Sequence, residues 1–340
     1  MAAPLLELSN VSTHFHSPAG RVRAVDGVSF TLEAGQTLGL VGESGSGKSV
    51  LARTIMGLLP SYAEIPEGSA ISFNGQNLLT LDRKERRAIS GPGIGMIFQD
   101  PMTSLNPVMK IGQQVYEGMR HHFGTSRKEG RERAVELLTE VGIPQPDVRV
   151  DQYPHQLSGG MRQRVAIAIA LACEPKLLIA DEPTTALDVT VQAGILDLLQ
   201  REQRDRGMTM ILITHDLGVV AGRCDNVAVM YAGGIVETGT TRSLFARTRM
   251  RYTQALLDSI PRLDRPPHER LKSIGGRPPN LINPPAGCRF APRCSHRLAQ
   301  CDTDMPPITS DEQDASHRFA CWHPRDPDAA MQETAGGDAA

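Results

Sequence analysis

Gly42-Glu43-Ser44-Gly45-Ser46-Gly47-Lys48-Ser49 is the stretch on which the reading of this chain turns. It satisfies the phosphate-binding pattern G-x-x-x-x-G-K-[ST] at every position. A β-rich apolar run, Thr37-Leu38-Gly39-Leu40-Val41, leads in, and a helical pattern from Ser49 through Met56 leads out. That is the strand–loop–helix setting the pattern needs. The glycines let the backbone curl until successive N–H groups converge on phosphate oxygens at a helix N-terminus, where the dipole also favours negative charge. Lys48 would then reach the β- and γ-phosphates, and Ser49 would offer its hydroxyl to Mg²⁺. A Gly/Ser turn before a helix would carry the same letters by chance; the rest of the chain excludes it.

Downstream, Lys176-Leu177-Leu178-Ile179-Ala180-Asp181-Glu182-Pro183 is an apolar strand with two carboxylates at its C-terminal end, where ligands bind in an open parallel sheet. Asp181 is placed to hold Mg²⁺ and Glu182 to polarise an attacking water. A further strand, Met208 to Ile213, ends in Thr214-His215-Asp216, so His215 also lies at a strand edge within reach of a γ-phosphate. Gln99 closes the β-run Gly95-Met96-Ile97-Phe98; it could reach Mg²⁺ or the water, or be a plain loop residue. Leu157-Ser158-Gly159-Gly160-Met161 opens a long helix to Cys173 and offers a second anion-binding N-terminus, or simply a Ser N-cap before a Gly turn. Ala186-Leu187-Asp188 begins another helix through Arg204.

Upstream, Leu6, Leu8, Val11 and Phe15 lie on one strand, Ser17-Pro18-Ala19-Gly20 turns, and Val22 to Leu32 returns. Such a hairpin can lay an aromatic ring against adenine; Phe15, between His14 and His16, is the candidate, with strand packing the competing role. Residues 68–81 read as a strand with an Asn74-Gly75 turn, 83–90 as a charged helix, and 111–150 as a helical insertion.

The chain has 340 residues, 40% hydrophobic and 22% charged, with a net charge of −2, which makes no case for a nucleic-acid partner. No run approaches the ~18–20 apolar residues of a membrane span, and the first residues lack the pattern of a signal peptide. A cytosolic chain that does not itself cross a membrane is expected, which leaves docking on something that does open.

The phosphate loop, Gln99, Leu157-Ser158-Gly159-Gly160, Asp181-Glu182, Asp188 and His215, in this order and spacing, resemble the ATP-binding cassette (ABC) ATPases over about residues 5–260. That resemblance implies an α/β P-loop NTPase of ABC type: a RecA-like core, an antiparallel β-subdomain and a helical subdomain at about 100–160. It implies two nucleotide-binding subunits sandwiching two ATPs. Phe15, Ser44, Gly45, Ser46, Gly47, Lys48, Ser49 and Val50 would hold the nucleotide, with Ser49, Gln99 and Asp181 on Mg²⁺. Glu182 would be the base and His215 the γ-phosphate sensor, with Lys48 and Gln99 completing the catalytic set. Ser158, Gly159 and Gly160 would act on the partner's ATP, with Asp188 at the seam. Phe98-Gln99-Asp100-Pro101-Met102-Thr103-Ser104-Leu105-Asn106-Pro107, Tyr153-Pro154-His155-Gln156 and Arg251-Tyr252-Thr253-Gln254-Ala255-Leu256-Leu257 are similar to the dipeptide/oligopeptide/nickel importer branch. The branch implies a heterodimer with a second, related ATPase, two transmembrane permease subunits and a periplasmic substrate-binding protein. It also implies a peripheral place on the cytoplasmic face of the bacterial inner membrane, with the region after Gln99 passing motion to the permeases. Nickel chelates, glutathione or another small solute are the alternative cargo. A soluble ABC ATPase of repair or translation is disfavoured by the single cassette and the lack of a sustained heptad run.

Beyond the cassette, Pro261 to Pro285 reads as a Pro-rich linker, opening an extension at 261–323. In it Cys288, Cys294, Cys301 and Cys321 follow C-x5-C-x6-C-x19-C, with Arg289, Arg293 and Arg297 among them. A [4Fe–4S] cluster uses four thiolates and tolerates irregular spacing, and the importer branch carries such a cluster in some members. Zinc, which prefers C-x₂₋₄-C pairs, and unliganded thiols are the alternatives. Cys173 and Cys224 are expected as core fillers, and 324–340 as a disordered tail.

Overall fold

The computed structural model describes residues 3–100, 104–185, 187–260 and 273–327. Its strands are β1 (Leu6–Ser17), β2 (Gly20–Leu32), β3 (Thr37–Val41), β4 (Ala63–Glu64), β5 (Ala70–Phe73), β6 (Gln76–Asn77), β7 (Ile94–Ile97), β8 (Leu177–Asp181), β9 (Thr209–Thr214), β10 (Asn226–Tyr231), β11 (Gly234–Thr240), β12 (Thr309–Ser310) and β13 (Arg318–Phe319). Its α-helices are α1 (Lys48–Met56), α2 (Arg83–Ile89), α3 (Ile111–Phe123), α4 (Arg127–Glu140), α5 (Pro146–Arg149), α6 (Gly159–Leu171), α7 (Val189–Arg206), α8 (Leu217–Val220), α9 (Thr241–Ala246), α10 (Arg251–Asp258) and α11 (Gln300–Thr303).

One sheet runs β12-β13-β11-β10-β3-β9-β8-β7, with β10, β3, β9, β8 and β7 parallel. β3, β8 and β9 are buried at every residue, as strands covered on both faces must be. Because successive side chains alternate, the two faces fill two cores. Leu38, Leu40, Leu177, Ile179, Ile211 and Ile213 face Leu51, Ala52 and Ile55 of α1 and the apolar side of the second sheet. Val41, Leu178, Ala180, Met210 and Leu212 face α6 and α7, through Val165, Ile167, Leu171, Ile195 and Leu199.

The second sheet, β2-β1-β5-β6 with β4 paired to β1, is antiparallel. Its hairpin closes at Ser17 and Gly20 as expected, and Asn74 (φ 51°) and Gly75 (φ 80°) make the left-handed turn between β5 and β6. α3 and α4 form the helical insertion, packing Ile111, Val115, Tyr116 and Met119 with Ala134, Leu137 and Leu138. The helix expected from Met161 to Cys173 begins two residues earlier, at Gly159, and the one expected from Ala186 begins at Val189 with Asp188 as its N-cap. Ala186 lies outside the described residues, as do Pro101, Met102 and Thr103 of the stretch expected to reach the permeases.

The C-terminal segment departs most from expectation. Residues 261–272 of the expected linker and 328–340 of the expected tail lie outside the described residues. Residues 324–327 are tied down: Arg325 N–H donates to Arg249 O at 2.8 Å. The extension is built into the core sheet, since β13 pairs with β11 and β12 with β13. Phe290 packs against Tyr231 and Tyr252, with ring centroids 5.4 and 5.3 Å away. His317 and Glu237, both fully buried, meet at 2.8 Å.

The expectation of an iron–sulfur cluster, a metal-holding set made of Cys288, Cys294, Cys301 and Cys321, is overturned here. Among the described residues no group of three or more His, Cys, Asp or Glu is arranged to hold a metal ion, which removes zinc on these thiols too. The physical reason is their surroundings. Burial pushes the Cys288 thiol up to about 11 and raises those of Cys294 and Cys321, so the thiolates a cluster needs are disfavoured. The Cys301 sulfur instead accepts the Leu298 N–H at 3.4 Å; Cys288 and Cys301 are buried in the same apolar core as Phe290, and Cys294 and Cys321 pack against that core half-buried.

Candidate nucleotide site

The site lies along the C-terminal edge of the parallel strands. After β3 the loop takes left-handed backbone at Gly45 (φ 80°) and Gly47 (φ 105°), conformations that admit a side chain only with strain. At Gly47 a Cβ would also strike the Ala24 carbonyl. Gly47 is the N-cap of α1 and supplies no side-chain cap, so the first N–H groups of the helix, Lys48 to Val50, have no partner within it. The first helical bond is Leu51 N–H to Gly47 O, at 2.9 Å.

Lys48 is buried under this loop, donating to Gly42 O at 2.7 Å and Glu43 O at 3.0 Å. Burial lowers its pKa, against the pull of Glu182, Asp181 and Glu43. A desolvated ammonium held by neutral carbonyls and the Ser46 hydroxyl is suited to an anionic ligand. Ser49 Oγ donates to Asp181 Oδ1 at 2.9 Å, so the expected metal-holding hydroxyl and carboxylate already touch. Burial raises the Asp181 pKa. A divalent cation there would be held by Ser49, Asp181 and the nearby Gln99, oxygen donors suited to Mg²⁺.

Glu182 follows β8 in a left-handed conformation (φ 45°), an uncommon geometry for a non-glycine residue that clusters at functional sites. Its carboxylate accepts from Gln99 Nε2 and Thr185 Oγ1, both at 3.0 Å, and lies 3.6 Å from His215 Nδ1. The structure therefore brings Lys48, Ser49, Gln99, Asp181, Glu182 and His215 to one place.

Ser158, Gly159 and Gly160 sit elsewhere. Ser158 Oγ caps α6 through Met161 N–H at 3.3 Å, and the two glycines lie against Leu187 and Val191 at the start of α7, where Asp188 Oδ1 accepts from Val191 N–H at 2.9 Å. Phe15 lies on β1 with its ring centroid 5.9 Å from that of Tyr62, a largely exposed residue that the sequence reading did not single out. His14 beside it is buried, its Nε2 3.9 Å from Asp26. Two further neighbours of the loop were also missed. Tyr252 OH accepts the Glu43 N–H at 2.9 Å, and Arg293 pairs with the Glu43 carboxylate. Both lie more than 200 residues from the loop, at a separation that no local pattern encodes.

A family model described as "ABC transporter" matches residues 25–185, and one described as "Oligopeptide/dipeptide transporter, C-terminal region" matches 236–301. The dipeptide transport ATP-binding protein DppD of Bacillus subtilis (strain 168) is 51% identical over 320 residues, 94% of each chain. The oligopeptide transport ATP-binding protein OppD of Haemophilus influenzae is 53% identical over 307 residues, 90% of this chain and 94% of the relative. Among solved structures, the dimeric structure of MJ0796, a bacterial ABC transporter cassette, superimposes with a TM-score of 0.63 at 29% identity, covering 70% of this chain and 99% of that one. A dimer of the same cassette in a post-hydrolysis state bound to ADP and Pi gives 0.63 at 28% identity.

Proposed function

The chain belongs to the ABC transporter ATP-binding family, in its dipeptide and oligopeptide branch, and from that premise we propose that it is the ATP-hydrolysing subunit of an importer of di- and oligopeptides across the bacterial inner membrane. The observation that carries the catalytic part is the Glu182 carboxylate, held by Gln99 and Thr185 beside the Ser49–Asp181 pair. The peptide cargo rests on the DppD and OppD relatives. Among the described residues no helix is long and apolar enough to cross a membrane, consistent with a peripheral seat on the cytoplasmic face beside permease subunits and a binding protein.

In this reading the substrate's phosphates take the place of the loop carbonyls around Lys48 and meet the free N–H groups of Lys48 to Val50. Phe15 lies under the adenine, with Tyr62 at its edge. Ser49, Asp181 and Gln99 would hold Mg²⁺, which would supply charge neutralisation for the phosphates. Gln99 then leaves Glu182, which accepts the proton of the attacking water, and His215 holds the γ-phosphate oxygen side. Ser158, Gly159 and Gly160 present the N-terminus of α6 to the ATP of a second, related ATPase subunit, with Asp188 at the seam; within this chain the two glycines lie against Leu187 and Val191. The domains divide as a cassette to about residue 260 and a C-terminal extension beyond it.

Uptake tests this directly. A strain lacking the chain should fail to accumulate a labelled tripeptide, and wild type but not Glu182→Gln should restore it. Restoration by Glu182→Gln would remove that residue from the chemistry, and unimpaired uptake in the deletion strain would remove peptide import.

A further inference from the structure

We propose that Arg293, in the C-terminal extension, is a positioning residue of the nucleotide site, holding the phosphate loop through Glu43. The proposal rests on the nucleotide-site reading above. Arg293 Nη1 donates to Glu43 Oε2 at 2.6 Å and Nη2 to Oε1 at 3.0 Å, a bidentate fork that fixes direction as well as charge. The fork is itself held. Its Nε donates to Gly275 O at 2.8 Å, Nη1 also reaches Tyr231 OH at 3.3 Å, and the Arg293 side chain is only 4% exposed. Glu43 hydrogen bonding drives the guanidinium pKa up still further.

Glu43 is the second residue of the phosphate loop, and all three of its polar groups are used. Its N–H donates to Tyr252 OH, its carbonyl accepts from Lys48 Nζ and from Ser46 N–H, and its carboxylate takes Arg293. Moving Glu43 therefore moves the carbonyl that Lys48 holds. Charge matters equally. A carboxylate one residue into a loop built for a polyanion repels that anion unless it is neutralised, and losing Arg293 leaves Glu43 partly buried and uncompensated. The extension thus does two things for the site: it fixes the loop and cancels the loop's one negative side chain.

The test is titration of the full chain with a fluorescent ATP analogue and Mg²⁺, with steady-state ATPase kinetics alongside. It compares wild type, Arg293→Ala, Arg293→Lys, Glu43→Gln and the two double variants. Arg293→Ala should weaken binding about tenfold, the scale of one charge-assisted hydrogen-bonded pair, with the loss in KM more than in kcat. Arg293→Lys, which keeps the charge but not the fork, should recover part of it. In the Glu43→Gln background either arginine change should have about a threefold effect or less, because the orphaned charge is gone. Should Arg293→Ala not fold, Arg293→Lys in the two Glu43 backgrounds carries the same comparison. Equal losses in both backgrounds, or affinity within about twofold of wild type while thermal stability falls, would make Arg293 purely structural and overturn the proposal. A wild-type chain that binds no analogue contradicts the nucleotide site itself, a distinct failure.

Discussion

Asp181 and Glu182 are neighbours in sequence with different surroundings. Asp181 is 1% exposed, and burial, with the adjacent Glu182 charge, holds its carboxyl above the usual range despite the Ser49 hydroxyl. An aspartate whose folded pKa is raised stabilises the fold at low pH and loses that contribution as pH rises through the folded value. Asp181→Asn, whose amide oxygen still accepts from Ser49, should therefore raise the melting temperature of the nucleotide-free chain at neutral pH by about 2 °C, roughly 1 kcal/mol, while Mg²⁺-dependent nucleotide binding is lost. The gain should shrink as pH falls toward the ordinary aspartate range, where wild type is neutral as well. Melting curves from pH 4 to 8 check both signs; a variant less stable at every pH would contradict the assignment. The strand-end residues were legible because each closes an apolar run whose spacing shows in the sequence. Tyr252 and Arg293 were not, because what makes them functional is a contact with Glu43 that only the folded sheet creates.

Elements whose burial follows a period were legible in the same way. The mainly apolar, fully buried β3, β8 and β9 and the spaced Ile111, Val115 and Met119 of α3 disclosed themselves. β12 and β13, two residues each, carry no alternation to detect, so nothing local in the sequence marks the extension as an addition to the sheet edge. The cysteines misled for a related reason: their count suggested a ligand set, whereas two are buried in the apolar core and two pack half-buried against it. The extension's docking is anchored by the buried His317–Glu237 pair; Glu237 Oε1 also accepts from Arg249 N–H and Oε2 from Met250 N–H. Removing the imidazole leaves a carboxylate buried without its side-chain partner, so His317→Ala should cost about 3 kcal/mol in urea unfolding. A loss under about 1 kcal/mol would mean that the two backbone donors alone satisfy Glu237.

On the scale of the whole molecule, the parallel sheet supplies the phosphate loop and the carboxylates, and the extension reaches that loop through Arg293 and Glu43. In the site we propose, the antiparallel sheet adds Phe15. The Ser158-Gly159-Gly160 helix end, set against Leu187 and Val191, serves a second subunit in the assembly we propose. In that proposed assembly, nucleotide binding drives relative movement of subunits, and the partner proteins set the cargo. The most direct test is ATP hydrolysis by the complete complex in proteoliposomes, with its binding protein loaded with di- to pentapeptides or with a nickel chelate, beside a Glu182→Gln complex. The account predicts hydrolysis stimulated by short peptides and abolished by Glu182→Gln. Stimulation by the chelate alone would contradict the peptide cargo, and hydrolysis indifferent to every cargo would contradict a role in import.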